Sequence, residues 1–95
     1  MDPATKLRPV RDVLLCPEED EAFLYAPARG RVQLLNPTGL SVWRLLDGAR
    51  DVGAVTAALA AAYPEVPAKA LAADVAAFLA ELEAAGLVEP VPRGP

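Results

Sequence analysis

The spacing of apolar residues changes period once along this chain, at Asn36. Before it, apolar side chains come in short extended runs; after it, they recur every three or four residues. Val10 to Cys16 carries Val10, Val13, Leu14 and Leu15, and closes on Pro17 and the acidic run Glu18-Glu19-Asp20-Glu21. Four like charges in a row read as a solvated turn. Ala22 to Ala26 (AFLYA) reads as a second strand, Pro27-Ala28-Arg29-Gly30 as a turn, and Arg31 to Leu35 as a third strand. The pattern predicts a three-stranded antiparallel meander after a flexible segment, residues 1–9.

The helical half opens on Asn36-Pro37, a capping residue followed by a proline at the first helical position, where its missing N–H costs nothing. Helix one is predicted from Pro37 to Asp47, presenting Leu40, Trp43 and Leu46, with Gly48 just past its end. Trp43 reads as core. Asp51 caps helix two, whose apolar positions are Val52, Val55, Leu59 and Tyr63, and Pro64 stops it. Pro67 restarts the chain, and helix three runs to Ala85 on a stripe of Leu71, Val75, Phe78, Leu79 and Leu82. Gly86 ends it and Leu87-Val88 pack back. Residues 90–95, with three prolines among them, read as a disordered tail. The element order fits an α+β winged helix-turn-helix with the sheet first. A three-helix bundle with an attached hairpin and a split α+β sandwich fit it too.

Composition narrows the function. Ninety-five residues make one domain with a small core. There is no histidine and one cysteine, Cys16, which removes the commonest general base and the usual zinc and iron–sulfur ligand sets. No internal disulfide can form, and no export signal is visible, so a reducing cytoplasm is the expected location. The longest apolar run, Ala57 to Tyr63, is far short of the roughly 20 residues that cross a bilayer. Neither an enzyme nor a cofactor or metal protein is expected. Thirteen acidic against nine basic residues give a net charge of −4, unfavourable for contact with phosphates. Helix three sets one lysine, Lys69, against Asp74, Glu81 and Glu83, so it would repel a DNA groove.

Taken in order, Leu24-Tyr25, Val32-Gln33-Leu34-Leu35-Asn36, Trp43-Arg44-Leu45-Leu46-Asp47-Gly48, Asp74-Val75 with Phe78-Leu79, and Gly86-Leu87 resemble the PqqD family over about Val10 to Glu89. That resemblance implies a winged-helix domain that recognises precursor peptides of ribosomally made, post-translationally modified products. The leader of the precursor would lie as an added strand along the third strand, against the third helix. A separate modifying enzyme, such as a radical-SAM protein or a leader peptidase, would do the chemistry. Tyr25-Ala26-Pro27-Ala28 and Gly86-Leu87 depart from the Tyr-Pro-Glu and Gly-Trp of quinone-pathway members, which favours the general family over that pathway.

The residues themselves allow such a site. If Arg31 to Leu35 is an outer strand, its free N–H and C=O groups form a template for another strand. On a helical wheel, Ala70, Asp74, Ala77, Glu81 and Ala85 line one flank of helix three, with Phe78 turned toward it. Small residues there admit a peptide, and two carboxylates favour a basic partner residue; a plain solvent-facing flank would look the same. The candidate peptide site is therefore Arg31, Val32, Gln33, Leu34, Leu35, Asp74, Ala77, Phe78 and Glu81. The alternatives are a winged-helix DNA-binding regulator and a structural module that homodimerises through the same strand edge.

The acidity of helix three predicts no sequence-selective DNA binding at physiological salt. A sub-micromolar, sequence-selective gel shift at about 150 mM salt would restore the regulator reading.

Overall fold

In the computed structural model, which describes residues 2–19 and 21–92, the chain forms five strands and three α-helices. They are β1 (Leu7–Pro9), β2 (Leu14–Pro17), β3 (Ala22–Ala26), β4 (Arg31–Leu35), α1 (Pro37–Leu45), α2 (Val52–Ala62), α3 (Ala68–Ala84) and β5 (Val88–Pro90). A single 3-10 turn, Pro27–Arg29, joins β3 to β4. The meander is an antiparallel sheet in the order β2-β3-β4, and three helices follow it, the α+β arrangement expected. The helix-bundle and split-sandwich alternatives are not what forms.

β3 alternates strictly. Ala22, Leu24 and Ala26 are buried on the helix side, while Phe23 and Tyr25 face outward. Ala22, Leu24 and Ala26 join Leu35, Val42, Trp43, Val55, Leu59, Val75, Leu79 and Leu82 in one core, so Trp43 is the core residue it was expected to be. β2 starts later than predicted because Val10 to Val13 turns instead of extending: the Val13 amide donates to the Val10 carbonyl at 3.1 Å. α1 stops at Leu45, short of the predicted Asp47. The Asp47 carboxylate accepts from the amides of Ala49 and Arg50, each at 2.9 Å, and so builds its own turn. The Arg50 amide, then that of Ala49, hold this carboxyl below the usual aspartate range.

The N-terminal segment differs most from expectation. It is not a free lead-in. β1 pairs antiparallel with β5, Leu7 opposite Pro90, and Leu7 is 1% exposed. The Thr5 and Pro3 carbonyls accept from the Val52 and Gly53 amides at 2.8 and 2.9 Å. Those are first-turn donors of α2 with no partner inside the helix, so the segment is held by a need the helix creates. Part of the predicted tail is also placed: Pro90 ends β5, and the Val91 amide donates to the Lys6 carbonyl at 2.8 Å. Residues 93–95 lie outside the described part of the chain, as does Asp20 of the acidic run.

Truncating a buried leucine here tests the clasp. Leu7→Ala should cost about 2–4 kcal/mol, lowering Tm by on the order of 10–20 °C in a domain of this size. A Tm unchanged to within about 2 °C would mean that the first strand is not docked.

Candidate functional site

β4 is an edge. It pairs with β3 on one side, Leu24 opposite Gln33 and Ala22 opposite Leu35, and no described strand pairs with its other side. In such a strand, main-chain groups on alternate residues point away from the sheet and remain open. The Gln33 side chain partly shields them, its Nε2 donating to the Leu34 carbonyl at 3.3 Å.

Asn36 fixes where that edge stands. Its extended backbone (φ −76°, ψ 173°) ends β4, and its Oδ1 accepts from the Gly39 amide at 2.7 Å, so strand and helix share one residue. Pro37 occupies the first helical position as expected. Gly39 is bare for a steric reason. A Cβ there would lie 3.2 Å from both Asn36 Oδ1 and Cζ of Phe78, tighter than such contacts usually run. The missing side chain lets the Phe78 ring of α3 lie over the first turn of α1.

Between β4, α1 and α3 lies a groove of about 440 Å³. Its apolar floor is Val42, Leu59, Leu71, Val75 and Phe78; Gln33, Leu34, Asn36 and Thr38 form one side, and Asp74 and Glu81 stand on α3. Both carboxylates are exposed. Neither takes part in the two ion pairs found among the described residues, Arg8–Glu89 at 3.3 Å and Arg50–Asp47 at 3.0 Å. Of the residues singled out from sequence, Gln33, Leu34, Asp74, Phe78 and Glu81 line this groove together. Val32 and Arg31 are exposed on β4 outside it, and Ala77 is exposed on α3 without lining it. Leu35 is fully buried and can offer a ligand only backbone atoms. Sequence reasoning missed the floor residues Val42, Leu59, Leu71 and Val75, which read as ordinary core, and the Asn36–Thr38 corner.

The outward face of the sheet is also apolar. Leu14, Tyr25 and Val32 form one cross-strand row, and Cys16, Phe23 and Leu34 the next. The large ones are between 36% and 61% exposed. Among the described residues, no group of histidine, cysteine, aspartate and glutamate could hold a metal ion. No described helix is long and apolar enough to cross a membrane.

Residues 21–88, from the start of β3 to the start of β5, match the family "Coenzyme PQQ synthesis protein D (PqqD)". The chain belongs to the PqqD family. It is similar to the PqqA binding protein of Pseudomonas aeruginosa, in strains UCBPP-PA14 and PAO1 alike, at 38% identity over 65 residues, covering 60% of this chain and 68% of the relative. A solved structure, TbiB1 in complex with the TbiA(beta) leader peptide, has the same fold: its TM-score is 0.77 at 24% identity, covering 86% of this chain and 94% of that one. β1 lies outside the matched family region, and only the first residue of β5 falls within it.

The contact over Gly39 makes a separable prediction. Gly39→Ala gains about 1 kcal/mol of helix propensity, which offsets the crowding, so Tm should stay within a few degrees. The added methyl should push the Phe78 ring into the groove, read as shifted ring resonances by NMR. Unchanged Phe78 resonances would show that the ring is not held by this approach.

Proposed function

We propose that this protein is a non-catalytic recognition protein. In this reading it binds the leader segment of a ribosomally synthesised precursor peptide by strand addition and presents it to a modifying enzyme. The observation that carries the reading is the open edge of β4 beside a groove with an apolar floor and carboxylates on its helical wall. An extended peptide on that edge gains main-chain hydrogen bonds, and its alternate side chains, about 6.8 Å apart, reach the groove. Similarity to a protein named for binding PqqA, and to one solved with a leader peptide, supports the same reading.

The modifying enzyme is a separate protein, such as a radical-SAM protein or a leader peptidase, and the encounter takes place in the cytoplasm. Arg31 to Leu35 supply the pairing strand, through backbone atoms alone at Leu35. Asp74, Phe78 and Glu81 supply the wall, and Ala77 leaves room beside it. Self-association through the same edge is the competing use of these groups. A dimer that dissociates on adding leader peptide would show both using one edge.

Neighbouring residues in a strand aim their amides to opposite sides, so two proline substitutions divide the question. Of Val32→Pro and Gln33→Pro, one should damage the fold by circular dichroism and the other should leave it folded and abolish leader binding. Asp74→Ala or Glu81→Ala should keep the fold and weaken a leader with a basic residue by roughly 0.2–1 kcal/mol, the range for an exposed charge pair. Leader-induced amide protection is expected on Val32 to Leu35. Protection confined to α1 or to the turn after Pro17 would put the peptide elsewhere.

A further inference from the structure

The charged residues that line the groove, Asp74 and Glu81, are both acidic, and two arginines stand beyond its end at the start of β4. α3 runs antiparallel to β4, because Gly86, just past the end of α3, lies beside Arg29 of the β3–β4 turn, while Phe78, earlier in α3, lies against Gly39 next to Asn36, just past the far end of β4. The Arg29 guanidinium rests on Gly86: a Cβ there, at φ 77°, would lie 2.6 Å from Arg29 Cζ. That places a cation at the helix C-terminus, where the backbone dipole favours one. Arg31 lies two residues beyond, and by strand alternation it shares the helix-facing side of β4 with Gln33 and Leu35. From that end, Glu81 is about 7 Å back along α3 and Asp74 about 10 Å further. None of these four side chains has an ion-pair partner among the described residues.

Resting on the strand-addition reading, we propose that the groove selects its ligand by the order of charges along the strand. An acidic side chain faces Arg29 and Arg31. A basic one, two residues along, faces Glu81. An apolar one enters the pocket over Phe78 and Val75. Groove-facing residues of a strand alternate about 6.8 Å apart, so the rise of about 7 Å to Glu81 matches one such step and the rise of about 12 Å to Phe78 comes close to two, with Asp74 beyond both. Since the apolar position breaks the symmetry, exchanging the two charges leaves a mismatch whichever way the peptide runs. Selection by order also separates ligands of equal net charge, which the overall −4 of the chain cannot do.

The test uses fluorescein-labelled nonapeptides of one composition, centred on Glu-Thr-Lys-Thr-Tyr or on Lys-Thr-Glu-Thr-Tyr, each made in both sequence directions. By fluorescence anisotropy at low salt, the tighter Glu-Thr-Lys-Thr-Tyr peptide should bind at least about fivefold more tightly than either charge-exchanged peptide, and the gap should close in about 0.5 M salt. The double variant Arg31→Glu/Glu81→Arg changes two exposed positions and should invert the preference. Should that variant fail to fold by circular dichroism, Arg31→Glu alone should abolish the preference. Equal affinities with amide protection appearing on Val32 to Leu35 would overturn the charge order and leave strand addition standing. Peptides that give no protection of that strand would overturn strand addition, and the charge order with it.

Discussion

A single side-chain hydrogen bond, from the Gly39 amide to Asn36 Oδ1 at 2.7 Å, sets the geometry on which the rest depends. A sheet edge and a helix can form a groove of fixed width only if the chain between them has no slack. Here Asn36 ends the strand with its backbone and caps the helix with its side chain, and Pro37 fixes the next φ. The Leu40 amide closes the first helical turn on the Asn36 carbonyl at 2.9 Å. On the other wall, Phe78 reaches the same turn because Gly39 has no side chain to stop it. Strand edge, capped helix and facing helix thus meet at one corner, and the apolar pocket is what remains between them.

An edge that stays open is a hazard as well as a template, and this sheet manages the hazard unevenly. Its inner face is covered by helices, and the Gln33 amide shields part of the edge. The turn between β2 and β3 carries Glu18, Glu19 and Glu21, which repel another copy approaching end-on. The outward rows of Leu14, Tyr25 and Val32, and of Cys16, Phe23 and Leu34, have no such protection. Both rows run across the strands to the open edge of β4. A strand added there would extend each row by one side chain, so occupancy of the edge changes the apolar face as well.

The parts of the fold that follow from local chemistry were legible in the sequence; those that depend on long-range pairing were not. The capped start of α1, the proline stop of α2, the stripe of α3 and the meander all rest on residues within a few positions of each other. β1 and β5 are three residues each and pair across almost the whole chain. Nothing local marks Leu7 as core, since its burial exists only once Val88 to Pro90 and the first turn of α2 are in place. Within the groove, Asp74, Phe78 and Glu81 were visible as a helix flank. Leu59 and Leu71 were not, because a residue at the bottom of a pocket and a residue in the core carry the same apolar signature. Phe78 was readable from both sides, being half-buried between the two.

The fold places its polar side chains at the surface rather than in the core. Among the described residues, the buried side chains are all apolar and both ion pairs are solvent-exposed, so the charges of Asp74, Glu81 and Arg31 stay hydrated and cheap to maintain. Exposed charges of this kind contribute little binding energy and much discrimination, because a like charge brought against them costs more than an opposite one gains. For a peptide bound as proposed, affinity would then come from main-chain pairing along β4 and from burying apolar side chains over Val42, Val75 and Phe78. Main-chain pairing is indifferent to sequence, and an apolar pocket distinguishes side chains only by size. If the peptide lies as proposed, what remains to tell one extended peptide from another is the arrangement of charge around that pocket, and Arg29, Arg31 and Glu81 are the residues on which selectivity between related peptides would turn.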